Sequence, residues 1–150
     1  MRFATVSDHN GHSLKARLAD WLRERGHDVD DRGASGTDVV DYPPLCADVA
    51  ARVLAGEADW GLVVGGSGQG EQIASNKIRG IRAALCHSLF TVEIARAHND
   101  ANVLVLGAKV VEPELAEQIL ERWLATRFKG GVHQRRLDQI AALERGEPLT

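Results

Sequence analysis

The chain has 150 residues, 44% of them hydrophobic and 26% charged, with a formal net charge of -3. That length suits one domain with a sizeable core, and the balance is ordinary for a soluble globular protein. The negative charge speaks against a nucleic-acid binder, which is usually basic.

No apolar run approaches the roughly 18 residues of a membrane span, and no cationic-apolar leader precedes Phe3. The two cysteines, Cys46 and Cys86, lie far apart with no C-x-x-C pattern. Two reduced thiols in a cytoplasmic protein are the expectation.

Residues 2–7 read as a first strand ending at Asp8-His9-Asn10-Gly11. From His12 to Arg25, Leu14, Leu18, Trp21 and Leu22 recur at helical spacing, which leaves Lys15, Arg17, Arg23 and Glu24 on the outer face. Gly26 ends that helix. His27 to Asp31 reads as a short second strand, followed by a polar loop to Asp41-Tyr42-Pro43-Pro44. Prolines suit a helix start, and Cys46, Val49, Ala50, Val53 and Leu54 form the stripe of the helix that follows.

Trp60–Val64 is the third strand, with a short helix after it that runs to about Lys77. Gly80–Leu85 is a fourth strand, Ser88–Ala97 a helix and Asn102–Leu106 a fifth strand. Pro113 starts a longer helix with Leu115, Ile119, Leu120 and Trp123 inward. Gly130-Gly131 breaks the chain before a last helix from about His133 to Arg145. Trp21, Trp60 and Trp123 fall on apolar faces and read as core. Strands alternating with helices give a three-layer α/β/α sandwich around a five-stranded, mostly parallel sheet of the Rossmann-like kind. Residues 1–150 show no internal repeat or linker.

The chemistry concentrates in Leu62-Val63-Val64-Gly65-Gly66-Ser67-Gly68-Gln69-Gly70-Glu71-Gln72. An apolar strand runs into a glycine turn and then a helix, so free N–H groups point into the turn. A P-loop needs Lys and then Ser or Thr after the last glycine, where this chain has Glu71 and Gln72. A nucleophile elbow needs a glycine where Gln69 stands. The dinucleotide fingerprint has a different spacing and sits in the first βα turn. None of the three fits.

Ligands of such sheets gather at the carboxyl ends of the strands. There the chain offers Asp8 and His9, Ser67 and Glu71, Cys86 and His87, and Gly107, Ala108 and Lys109; another polar cluster, His98-Asn99-Asp100, precedes the fifth strand. These are acids, imidazoles and a hydroxyl without metal-ligand spacing, which points to general acid–base chemistry. For Glu71, a place in the first turn of a helix stabilises the anion. Burial would push the other way, and the sequence alone sets no winner.

Several blocks then carry a resemblance. These are Ser7-Asp8-His9-x-Gly11-x-x-Leu14-Lys15, Asp41-Tyr42-Pro43, and Gly66-Ser67-Gly68-x-Gly70 with Ala74-Ser75-Asn76-Lys77. Gly80-Ile81-Arg82-Ala83-Ala84, Ala95 to Asn102, and Gly130-Gly131-x-His133-Gln134-Arg135-Arg136 follow in order. Together they resemble the ribose-5-phosphate isomerase type B family, which also includes galactose-6-phosphate isomerase subunits and isomerases of other sugars.

The resemblance implies an aldose–ketose isomerase that works through an enediolate, with no metal or organic cofactor. One branch of the family has a cysteine base where this chain has Gly65. The other has a glutamate after Gly-Ser-Gly-x-Gly, which makes Glu71 the implied base. Asp8 and His98 match positions of sugar-ring opening, Ser67 the hydroxyl beside the enediolate, and Asn99 a substrate-hydroxyl contact. Tyr42 matches a wall of the site, and Gly66, Gly68 and Gly70 match the loop that holds the oxyanion. His9 and Arg136 match phosphate contacts, while Lys109 and Val132 stand where the family has arginines. The C-terminal basic residues of the family reach into the partner subunit's site, so a homodimer or larger assembly is implied, with no nucleic-acid or membrane partner.

Three readings follow. The first is isomerisation of ribose 5-phosphate to ribulose 5-phosphate. The second, prompted by Lys109 and Val132, is isomerisation of a different or unphosphorylated sugar. The third is a nucleotide- or flavin-binding module on a similar scaffold.

Overall fold

The computed structural model describes residues 1–149. Five parallel strands form its sheet: β1 (Arg2–Ser7), β2 (Asp28–Asp31), β3 (Trp60–Gly65), β4 (Ala83–Leu85) and β5 (Val103–Gly107), in the order β2-β1-β3-β5-β4. Six helices connect or follow them: α1 (His12–Glu24), α2 (Tyr42–Leu54), α3 (Gln69–Ser75), α4 (Leu89–Ala97), α5 (Pro113–Ala125) and α6 (Val132–Glu144). Among the described residues no helix is long and apolar enough to cross a membrane.

Side chains of a strand point alternately to its two faces, and the strands divide accordingly. Phe3, Leu62, Val64, Leu104 and Leu106 join Leu14, Leu18, Leu22, Val92, Ile119, Leu120 and Trp123 under α1, α4 and α5. Ala4, Val6, Val63, Val103 and Val105 face the opposite way and pack with Cys46, Val49 and Ala50 of α2. The sheet is therefore covered on both sides, as an all-parallel sheet requires. Trp21 and Trp123 belong to the core, and the partly buried Trp60 packs against it, meeting the fully buried Trp123 edge to face at 6.0 Å.

The elements follow the expected order, with three differences. β4 begins at Ala83 rather than Gly80, because Arg82 and Ala83 are tied by their backbone N–H groups to the side-chain oxygens of Asn102 and Asn76 instead of extending the ladder. Leu54, expected on the inner stripe of α2, is 50% exposed at the helix's last turn.

Lys15 is the larger correction. Expected on the outer face of α1, it is only 1% exposed. Its ammonium donates to Asp31 Oδ1 at 2.5 Å, to the Gly33 carbonyl at 3.0 Å and to the Ala34 carbonyl at 3.3 Å. An ammonium has three donors, and all are used. Helical spacing put Lys15 with the outer residues, but the side chain is buried and its stem carries the charge to the loop after β2.

The strand order fixes where a ligand can sit. From β1 the chain steps to β2 on one side, then returns to β3 on the other. The connections leaving β1 and β3 therefore diverge, and a crevice opens at the carboxyl ends of those two strands. Ser7 pairs with Val64 and Gly65 with Gly107, so the ends of β1, β3 and β5 lie level there.

Candidate active site

A cavity of about 350 Å3 opens at that crevice, lined by Asp8, Asn10, Tyr42, Gly66, Ser67, Gly70, Glu71 and Lys109. β1 delivers Asp8 and Asn10, the turn between β3 and α3 delivers residues 66–71, the start of α2 delivers Tyr42, and Lys109 follows β5. Each arrives directly from a strand end or a helix start, which keeps the positions stiff.

Asp8 is buried and its oxygens are engaged by its own turn. Oδ1 accepts the backbone N–H groups of Asn10 at 2.8 Å and Gly11 at 2.9 Å, and Oδ2 accepts the Asn10 amide at 3.2 Å. The carboxylate is thus fixed in direction at the cavity wall.

Glu71 stands in the first turn of α3 and is 4% exposed. Burial pushes its carboxyl above the ordinary glutamate range. Its own backbone N–H opposes this, and the nearby Asp8 carboxylate adds to it. Desolvation thus wins over the helix start. A Cβ on Gly65 would overlap the Glu71 carboxylate, so this glutamate occupies the room that the glycine leaves. Gly70 plays the same part for Tyr42, whose ring and hydroxyl lie where a Cβ would stand. Beneath them Cys46 points its Sγ at the Glu71 carbonyl at 3.7 Å. Burial pushes that thiol up to about 11, so at neutral pH it is an uncharged packing group rather than a nucleophile.

The glycine turn leaves backbone N–H groups without intrahelical acceptors; the Gln69 N–H takes the Ser67 Oγ at 3.2 Å. The turn, the Ser67 side chain and Lys109 are the parts of this cavity that could receive an oxyanion. With two acids beside them, the arrangement can move a proton while holding a developing negative oxygen. Among the described residues, no group of three or more His, Cys, Asp or Glu side chains is placed to hold a metal ion.

Of the residues named from sequence, Asp8, Tyr42, Gly66, Ser67, Gly70, Glu71 and Lys109 line this one cavity. Gly68 caps α3 within the same turn. His9 is adjacent, with Nε2 3.3 Å from the Asn10 amide, but it does not line the cavity. Asn10 does, although sequence reading passed over it as a turn residue; its place directly after Asp8-His9 at a strand end was the available signal.

His98, Asn99 and Arg136 are elsewhere. α4 runs antiparallel to the strands, so His98 at its C-cap and Asn99 just beyond lie at the amino end of β5. Glu71 lies at the carboxyl end of the sheet. Arg136 is on α6, and His133 of the same helix stacks on His98, with ring centroids 3.9 Å apart and planes within 13°. Asp8 and His98, both matched to sugar-ring opening from sequence, do not line one cavity among the described residues.

The comparisons with known proteins agree with this architecture. A family model described as Ribose/Galactose Isomerase matches residues 3–140. The ribose-5-phosphate isomerase B of Escherichia coli (strain K12) is 42% identical over 143 residues, covering 95% of this chain and 96% of that relative. The ribose-5-phosphate isomerase B of Mycobacterium tuberculosis is 40% identical over 147 residues, covering 97% and 91%. Among solved structures, a Clostridium thermocellum ribose-5-phosphate isomerase B superposes with a TM-score of 0.96 at 44% identity, covering 97% of this chain and 99% of that one.

Proposed function

The chain belongs to the ribose/galactose isomerase family, and from that premise we propose that it interconverts ribose 5-phosphate and ribulose 5-phosphate through an enediolate. The observation that carries this reading is the buried Glu71 carboxylate, raised in basicity and sharing a small cavity with Asp8, Ser67 and Lys109. In the open-chain aldose, Glu71 takes the proton from C2 and returns it to C1, while the O2 hydroxyl proton passes to O1. The amides of the turn over residues 66–70 and the Ser67 hydroxyl hold the enediolate oxygens while the charge is there.

Ribose 5-phosphate enters as a closed furanose, so a ring-opening proton transfer from the anomeric hydroxyl to the ring oxygen comes first. Asp8 stands at the cavity for that step. Its partner, His98, and the sugar-hydroxyl contact Asn99 come from a second copy of the chain, because in one copy they lie at the far end of the sheet. Lys109 in the cavity and His9 beside it serve the phosphate, and Arg136 of the second copy adds a charge.

Two features of α6 support such a pairing. Leu137 is its sole buried residue, and Val132, Ile140 and Leu143 are exposed on it. The helix lies on the body with its apolar side chains largely uncovered, as an arm does that packs on a neighbour. The reading carries with it a homodimer with shared sites, a single isomerase domain and a cytoplasmic setting; the buried free thiols Cys46 and Cys86 suit a reducing compartment.

Relatives at about 40% identity bear the name ribose-5-phosphate isomerase B, and Lys109 lines the cavity. An unphosphorylated sugar or a nucleotide is therefore not favoured. A panel of pentoses, hexoses and their phosphates tests the reading. It expects kcat/KM highest for ribose 5-phosphate; a preference for a free sugar would contradict it.

A further inference from the structure

The stacked imidazoles of His98 and His133 contain one ring that the proposed reaction does not use. His98 ends α4 and His133 lies in the first turn of α6, with their planes nearly parallel at 3.9 Å. Neither ring hydrogen-bonds within the described residues, so the direction of the His98 ring is set by the stack. The helix that brings His133 there is itself tethered at that point, since the Lys129 N–H, just before α6, donates to the Ala97 carbonyl at 3.0 Å.

The groups acting on His133 come from each neighbouring element: His98 from the end of α4, Lys129 from the connection before α6, and Arg136 from α6 itself. Loss of water contact first, and then these three, push His133 below the ordinary histidine range. The uncharged form of the ring is therefore favoured. A flat ring of this kind is a favourable stacking partner for the imidazole beside it.

We propose that His133 is a positioning residue that fixes the plane and direction of the His98 imidazole for ring opening in the partner's site. The inference rests on the reading of His98 as a ring-opening residue, and the chemistry of the two sugars separates the two claims. Ribose 5-phosphate closes through its C4 oxygen. Ribulose 5-phosphate cannot form a furanose, because the C5 oxygen it would need carries the phosphate. Exchange of a C1 hydrogen of ribulose 5-phosphate with heavy water therefore reports the Glu71 step with no ring opening.

His133→Ala is expected to lower kcat for ribose 5-phosphate by about two- to tenfold, the range that an aromatic pair is worth. It should leave the C1 exchange of ribulose 5-phosphate at the native rate. His133→Phe, which keeps a flat uncharged ring, should restore ribose 5-phosphate turnover, and in a His98→Ala background His133→Ala should cost nothing more. If His98→Ala slows ribose 5-phosphate turnover and His133→Ala does not, the positioning role is overturned. Equal losses in both reactions, as from a damaged fold, overturn it too, as does a raised KM for both sugars, which would assign His133 to the phosphate. Full activity of His98→Ala on ribose 5-phosphate would instead remove the reading of His98 on which the proposal stands.

Discussion

At Glu71 two influences of opposite sign meet, and burial is the larger. If this carboxylate is the base, kcat/KM falls as the pH drops through its raised pKa. The acid limb of the pH profile is then expected above the ordinary glutamate range, with a limb at or below that range as the contrary result. The same shift acts on stability. A carboxyl whose folded pKa is raised opposes folding where it must ionise, and this penalty vanishes once both folded and unfolded states are protonated. Glu71→Gln is therefore expected to melt above the native protein at neutral pH, with the gap closing as the pH falls from the raised value towards the unfolded one. Thermal melts across that range check it. The identity of this residue was legible from Gly-Ser-Gly-x-Gly-Glu. Its electrostatics were not, because its neighbours Tyr42 and Cys46 arrive from a helix some thirty residues away in the chain. Lys15 was misread for a related reason: helical spacing fixes where a Cβ points, and a lysine places its charge several ångströms from there.

At the scale of elements, the turn between β3 and α3 works by close approach. Gly65→Ala puts a methyl where the Glu71 carboxylate lies. The expected outcome is a loss of about 1–3 kcal/mol in stability, as for other overpacked positions, and a fall in kcat comparable to that of Glu71→Gln; a variant with native kcat would contradict the steric assignment. Lys15 holds another junction, the loop between β2 and α2. Lys15→Met takes the ammonium from the Asp31 carboxylate, while the Gly33 and Ala34 carbonyls keep the Ser7 N–H and the His12 ring. A cost of about 1–3 kcal/mol is expected, read by denaturant unfolding, with an unchanged midpoint as the contrary result. Most helices and strands were legible because hydrophobic periodicity and Gly or Pro punctuation marked them. β4 was overestimated because the side chains of Asn76 and Asn102 take the N–H groups at its start, which no local pattern announces. The order of strands, which puts Asp8, Glu71 and Lys109 around one crevice, is a non-local property and was open until the structure fixed it.

For the whole molecule, the decisive fact is that one chain holds two carboxylates and a glycine turn at one end of its sheet, and His98, Asn99 and Arg136 away from it. Sequence blocks gave both groups together, because linear order does not reveal that α4 runs back to the amino end of the strands. If two copies share each site, Glu71→Gln and His98→Ala chains, each impaired alone, should regain activity when co-expressed, since a mixed dimer contains one site with both residues intact. No recovery in a verified mixed dimer would contradict the shared site. The central claim is that Glu71 carries the proton between C1 and C2, and heavy-water exchange tests it most directly. Native protein incubated with ribulose 5-phosphate in heavy water should place deuterium at C1, read by proton NMR. Glu71→Gln, folded by its melting curve, should do so at least about 100- to 10,000-fold more slowly, the usual worth of a positioned base. Exchange by that variant at the native rate would contradict the account.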